Sequence, residues 1–177
     1  MSIISSKDVY EIIRKTLDII NGKIMNHGEI TGYILYKMLE CEQIHTEQEL
    51  VDYTMLGVLH DIGLFKEDDI KNVSDFETKN LWPHSIYGFL FLKYLSPMDD
   101  KAEIVLYHHL DYNRYGLIQS RYKHIIECLN LADKMDTFLH LKEEKMEKDY
   151  FNRYRDIKFS GAALDLFHRA EVKYGIT

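Results

Sequence analysis

Met55-Leu56-Gly57-Val58-Leu59-His60-Asp61-Ile62-Gly63-Leu64-Phe65 sets two ionisable residues inside a run of apolar ones. Such neighbours belong in a core, and burying a histidine and a carboxylate among them costs free energy unless each is paired or ligates a cation. Ahead of the run stands Thr46-Glu47-Gln48-Glu49, a hydroxyl with a carboxylate three residues on, which marks a capped helix start. The spacing of Leu50, Val51, Met55, Leu56, Val58 and Leu59 predicts a helix from there to Gly63.

The same helical period extends in both directions. Upstream, Val9, Ile12, Ile13, Leu17 and Ile20 form one stripe closed by Asn21-Gly22, and Ile30, Ile34, Leu35, Met38 and Leu39 form another on a helix over 24–40. Downstream, 66–80 is polar without an apolar period and reads as a loop or a short helix. From His84 the period resumes through Ile86, Phe89, Leu90 and Leu92 until Ser96-Pro97 stops it. Asp99-Asp100 is the expected start of the next helix, where carboxylates suit the positive end of the dipole, and Ala102 to Leu110 continues it. Asp111 to Ser120 reads as an irregular loop. Arg121 to Lys148 reads as a long helix ending in the charged, solvated stretch KEEKMEKD, and a last helix begins near Ser160 with Ala163, Leu164, Leu166, Phe167 and Val172 as its apolar side. Nothing alternates with period two and nothing repeats, so the expectation is an all-α, single-domain helical bundle over 1–177.

Composition narrows the function classes. A chain of 177 residues with 46% hydrophobic and 29% charged residues and two prolines carries a core and is no disordered tail. No apolar run reaches membrane-spanning length, and the N-terminus lacks the basic-then-apolar order of a signal peptide. Two cysteines, Cys41 and Cys128, make no disulfide framework, which points to a reducing cytoplasm. A net charge of −7 argues against general nucleic-acid binding, whose affinity rests on neutralising phosphates. An anionic substrate fits such a chain if metal ions supply the positive charge.

Nine histidines bear on that point through their placement. His27 and His84 each begin an apolar-striped helix, His108-His109 follow Ile104-Val105-Leu106-Tyr107, and Asp133 sits in IIECLNLADKMDTFL. A lone histidine on such a helix is usually a hydrogen-bonded residue of the fold, and His45, His124, His140 and His168 are read that way. The recurrence of His or Asp on four separate helices, each time amid residues that want burial, is what a metal centre requires of its ligands.

The ordered set His27, His60-Asp61, His84, His108-His109, Asp133 resembles the HD superfamily of metal-dependent phosphohydrolases over roughly residues 20–140. Local contexts are similar to the HD-GYP branch: His60-Asp61-Ile62-Gly63 to its HDIGK stretch, His84-Ser85-Ile86-Tyr87-Gly88 to its H-P-x-x-G helix start, and Ala132-Asp133-Lys134-Met135-Asp136 to its A-D-x-x-D element. The resemblance implies an HD-type bundle with a two-metal centre in its core. His27, His60, Asp61 and Asp133 would hold one ion, His84, His108 and His109 the second, and Asp61 would bridge. Lys23 stands where some relatives have a glutamate for a third metal, so two are expected.

Three departures accompany the matches. Leu64 replaces the HDIGK lysine, with Lys66 two residues on as the candidate for its catalytic place. HHLDYNRYG keeps the paired histidines of the GYP block and loses its Glu, DG and GYP elements. Asp136 matches the second aspartate of A-D-x-x-D, as a residue that orients a ligand or the attacking water.

The resemblance implies a phosphodiesterase acting on a nucleotide or cyclic dinucleotide. Imidazole with carboxylate ligands suits Fe or Mn first, then Zn, Ni or Co, over Mg or Ca. Arg114, Arg121, Lys134 and Lys66 are candidate phosphate binders, and Trp82, Tyr112 and Tyr115 candidate platforms for a nucleobase. The expected partner is a small phosphate-containing molecule, with homodimer assembly left open. Two other readings stand beside the hydrolase: an HD-type di-iron oxygenase, and a nucleotide-binding module that kept its ligands and lost turnover.

Overall fold

The structure, a computed structural model, describes residues 15, 26–64, 82–140 and 150–176, with positions 139 and 140 by backbone alone. Apart from residue 15, the expected helix over 9–20 lies outside the described residues, as do the stretch containing Lys66 and the charged end of the long helix. Within them the chain is all α. Helix α1 covers 26–42, α2 Glu47–Val58, α3 Trp82–Leu95, α4 Glu103–Tyr107, α5 Lys123–His140, α6 Tyr150–Arg153 and α7 Gly161–Tyr174, with a 3₁₀ helix at Tyr112–Leu117. The one β feature among the described residues is an isolated bridge between Arg155 and Phe159.

The capping box at Thr46 forms as its sequence requires: the Glu49 amide donates to Thr46 Oγ1 at 3.2 Å and the Thr46 amide to Glu49 Oε2 at 2.9 Å. The helix it starts is shorter than expected, ending at Val58 instead of Gly63. Beyond it the chain tightens into three-residue turns, with the Ile62 amide donating to Leu59 O at 2.9 Å and the Leu64 amide to Asp61 O at 3.0 Å. Asp99-Asp100 starts no helix. Residues 97–102 are in turns, and Asp100 gives its carboxylate to Lys101, Arg121 and Tyr122 instead of to free helix amides. The last helix begins as expected, capped by Ser160 Oγ accepting from the Ala163 amide and closed by Gly175 in the left-handed region at φ +63°. Val172 is exposed and not part of its packed side.

Helix α5 is the centre of the bundle. Ile125, Ile126, Cys128, Leu129, Leu131 and Ala132 are all buried, and the helix contacts α2, α4 and α7. Ile34, Leu35, Met38 and Leu39 of α1, Leu56 of α2, Leu92 of α3, Ile104 of α4 and Leu164 of α7 complete the core. Each such aliphatic side chain contributes roughly 1.5–3 kcal/mol on burial. Cys41 and Cys128 are both free thiols. Among the described residues no helix is long and apolar enough to cross a membrane.

Candidate metal centre

Two glycines bring the histidine-bearing backbones together. A Cβ on Gly28 would lie 2.3 Å from the Val58 carbonyl oxygen, so α1 and the end of α2 touch there and His27 comes beside His60. A Cβ on Gly63 would lie 2.0 Å from the His84 carbonyl oxygen, so the turn carrying Asp61 rests directly on the first turn of α3. Close approach of this kind needs a residue without a side chain.

The result is a buried cluster of the seven expected side chains. Among the described residues, ligand-type groups converge in two sets whose donor atoms lie within 4.8 Å of one another: Asp61, His84, His108 and His109 in one, His27, His60 and Asp133 in the other. Asp61 faces both. Its Oδ1 is 3.3 Å from His84 Nε2 and 3.9 Å from His108 Nε2, while its Oδ2 is 3.5 Å from His60 Nε2 and 3.9 Å from His27 Nε2. Asp133 Oδ1 is 3.2 Å from His27 Nε2 and 3.8 Å from His60 Nε2, and its Oδ2 is 3.5 Å from His109 Nδ1.

The rings are aimed from behind. His60 donates from Nδ1 to Gly57 O at 2.7 Å, and His108 from Nδ1 to Val105 O at 2.5 Å, each to the carbonyl three residues earlier. Those bonds set the tautomer and leave both Nε2 atoms bare and inward. His27 Nδ1 is bonded to Asp136 Oδ2, one helical turn from Asp133 on the same side of α5. His84 and His109 meet Nε2 to Nε2 at 2.9 Å.

The donor atoms fit a metal and fit each other poorly. Nε2 of His60 and His108, Nδ1 of His109 and Oδ1 of Asp61 are all buried without a hydrogen-bond partner. Buried polar atoms left this way are rare in a finished fold. Imidazole nitrogens with two carboxylates suit a transition metal better than Mg or Ca.

Without an ion, charge within the cluster is shared unevenly. Burial would lower the His27 pKa, but its bonds to Asp133 and Asp136 outweigh that and carry it up to about 10. Burial and the neighbouring His60 and His84 push His108 down to about 3. Burial likewise lowers His84 and His109. Burial works to raise Asp61 and Asp133, yet the surrounding imidazoles for Asp61, and Lys134 with His27 for Asp133, hold both carboxyls below their ordinary range. Asp61 and Asp133 are thus held ionised and His84, His108 and His109 neutral, the forms that bind metal, while His27 is held charged between Asp133 and Asp136.

Residues 25–141 match the HD domain family. The chain belongs to the HD-domain family. Among curated proteins, its HD domain and flanks are similar to the 3'3'-cGAMP-specific phosphodiesterase 1 of Vibrio cholerae, 26% identical over 152 residues, covering 84% of this chain and 34% of that protein. The chain thus spans about a third of the length of that relative. No solved structure matches it.

The outlying candidates of the HD chain fall in different places. Lys134 is at the cluster, its Nζ 2.9 Å from Asp133 Oδ2. Lys66 lies outside the described residues. Tyr112 and Arg114 are on the 3₁₀ helix that begins three residues after His109, half-buried and exposed respectively. Trp82 is partly exposed at the start of α3. Two assignments are corrected. Tyr115 is 6% exposed and packed in the apolar core, so its ring has no face for a base. Arg121 is turned to Asp100 at 3.2 Å and to the Tyr122 hydroxyl, just before the start of α5. At 1.5 Å per residue it stands more than about 15 Å along the helix from Asp133.

His45 and His124 are hydrogen-bonded as expected, both to Glu42; His168 is exposed beside Glu171, and the His140 side chain lies outside the described residues. Sequence reasoning missed Asn130. Its Nδ2, buried on α5, donates to His108 O at 2.7 Å and to Leu110 O at 3.4 Å, pinning the backbone of the paired-histidine turn. The signal was available: an amide inside IIECLNLAD, one turn before Asp133, needs a buried partner.

Proposed function

We propose that the chain is a metal-dependent phosphodiesterase of HD-GYP-like type, acting on a nucleotide or cyclic dinucleotide at a centre of two divalent transition metals, Fe or Mn first. One observation carries the reading: Asp61 presents one oxygen to each of two histidine sets, in which His60 Nε2, His108 Nε2 and His109 Nδ1 are buried without a hydrogen-bond partner. The name of the Vibrio relative and the family match support the reaction class and the substrate class.

In this reading His27, His60 and Asp133 would hold one ion and His84, His108 and His109 the other, with Asp61 shared between the two sets. Bound metal would supply a water acidified to react near neutral pH and positive charge against the phosphate oxygens. The chain's own residues do the rest. Asp136 holds the His27 ring from behind through Nδ1, and the backbone carbonyls of Gly57 and Val105 do the same for His60 and His108. Orienters of this kind keep a ligand's lone pair aimed inward. Burial of the cluster excludes bulk water, which strengthens every charge interaction inside it. Tyr112 and Arg114 would meet the parts of the substrate beyond the phosphate, a role supported by their short helix, which begins three residues after His109.

The test is the metal content of protein purified without oxygen, measured beside a screen of generic phosphodiesters and cyclic dinucleotides with added Mn or Fe. About two metals per chain with phosphodiester turnover is the expected result. Two irons with no hydrolysis would transfer the reading to an oxygenase or a binding module. No metal uptake after loading would overturn it.

A further inference from the structure

Phosphate is an anion, and a site that receives one needs a cation able to touch an oxygen without being held elsewhere. Among the described residues, no lysine or arginine other than Lys134 is bonded to a member of the His/Asp cluster. Lys93 goes to Asp99, Lys101 to Asp52 and Asp100, Arg121 to Asp100 and Arg155 to Asp165. Leu64, which follows the Asp61 turn, is 2% exposed and adds no charge.

Lys134 has a different setting. It follows Asp133 on the central helix, its side chain is 18% exposed, and its Nζ sits 2.9 Å from Asp133 Oδ2. That oxygen also faces His109 Nδ1 at 3.5 Å, an unpartnered donor atom of the cluster. Lysine and a metal ion therefore compete for one carboxylate oxygen. A lysine ammonium is a compact charge on a flexible four-carbon stem, so it can leave one oxygen for another a few ångströms away.

We propose that Lys134 is the phosphate-gripping residue of this site, an internal counter-ion that neutralises Asp133 in the metal-free protein and turns to a substrate phosphate oxygen when a metal takes that carboxylate. The inference rests on the metal-centre reading above and adds to it a residue for substrate charge. It also gives the metal-free protein a reason to stay folded with Asp133 only 2% exposed, because a buried anion needs a partner.

The experiment compares full-length wild type, Lys134→Met and Lys134→Arg, each metal-free and Mn-loaded. Inorganic phosphate binding is followed by calorimetry, metal content by elemental analysis and unfolding by thermal melts. Lys134→Met is expected to weaken phosphate binding to the loaded protein about tenfold or more, as for loss of one charge-assisted hydrogen bond. It should leave metal stoichiometry unchanged and lower the melting temperature more in the metal-free protein than in the loaded one. Lys134→Arg should recover most of the phosphate affinity. On a hydrolysed phosphodiester the loss should appear in KM, with kcat within about threefold. Unchanged phosphate affinity in Lys134→Met would overturn the proposal, and so would loss of metal from that variant. A wild type that binds phosphate through Lys134 yet cleaves no phosphoester would sink the hydrolase reading and leave this one standing.

Discussion

The molecule holds two groups of histidines, and they are built on opposite principles. At one end of α1, Glu42 accepts from His45 at 3.1 Å and from His124 at 2.9 Å, so each ring has found a carboxylate and the group is complete. At the other end, fifteen residues or about 22 Å earlier along the helix, His27 begins a cluster in which His60 Nε2, His108 Nε2, His109 Nδ1 and Asp61 Oδ1 have no hydrogen-bond partner. Both groups pair imidazole with carboxylate. What separates them is satisfaction: the Glu42 group ties three segments together, while the other holds its donors behind and leaves them bare in front. Histidine abundance therefore says little by itself, and the bare inward nitrogen is the mark of a ligand.

The sharpest way to break that contrast is Asp61→Ala. Removing the residue that faces both sets is expected to abolish both metal uptake and turnover while leaving the Glu42 group untouched. Elemental analysis decides it, and unchanged metal content in a folded variant would end the bridging assignment. Gly63→Ala comes next. Its methyl would sit 2.0 Å from a backbone oxygen that cannot swing away, so α3 must shift and His84 with it. A destabilisation of about 1–3 kcal/mol by denaturant melt, with weakened metal uptake, is expected.

Asp136→Asn keeps the side chain's shape and removes the charge behind His27. Metal affinity should fall about 10–100-fold in a chelator competition with the protein still folded. An affinity equal to wild type would reduce Asp136 to a structural residue.

The smallest effect is expected at the satisfied group. The bond from Glu42 raises the His124 pKa against the opposing effect of burial, so His124 adds stability that is fully present below its ordinary value of 6.5 and lost as pH rises through the raised value. Burial would raise Glu42, but His124 and His45 lower it, so its share is present above 4.5 and lost as pH falls through the lowered value. The group holds best between those two ordinary values. His124→Gln should flatten the alkaline side of a stability-versus-pH curve by about 0.5 kcal/mol, since His124 is more than a third open to solvent. It should not change metal content.

Much of this arrangement was legible in the chain. The ligands could be found because each interrupts an apolar pattern where an ionisable group needs a reason to be, and the capping box at Thr46 because its bonds are local. What was not legible depends on residues distant in sequence. Asp100 reads as a helix start until Arg121 and Tyr122 arrive from 21 and 22 positions away to take its carboxylate. Tyr115 reads as a loop aromatic until the core closes over it. Helix α6 has only four residues and no periodicity to detect; Phe151, packed at 5.0 Å from Phe159, anchors it. The end of α2 at Val58 escaped for the same reason, because the turns over 59–64 serve the contact with α3 and not a local preference.

The partnership of His27 with Asp136, 109 positions apart, also orders events during synthesis. A growing chain that has emerged as far as His109 already carries His27, His60, Asp61, His84 and both paired histidines, yet it lacks the carboxylate that faces three of those rings and the one that steers the first. The pocket stays half-walled until α5 leaves the ribosome and docks, so a nascent chain offers passing ions only an incomplete grip, and selection of the right cation is deferred to the moment when the fold itself closes.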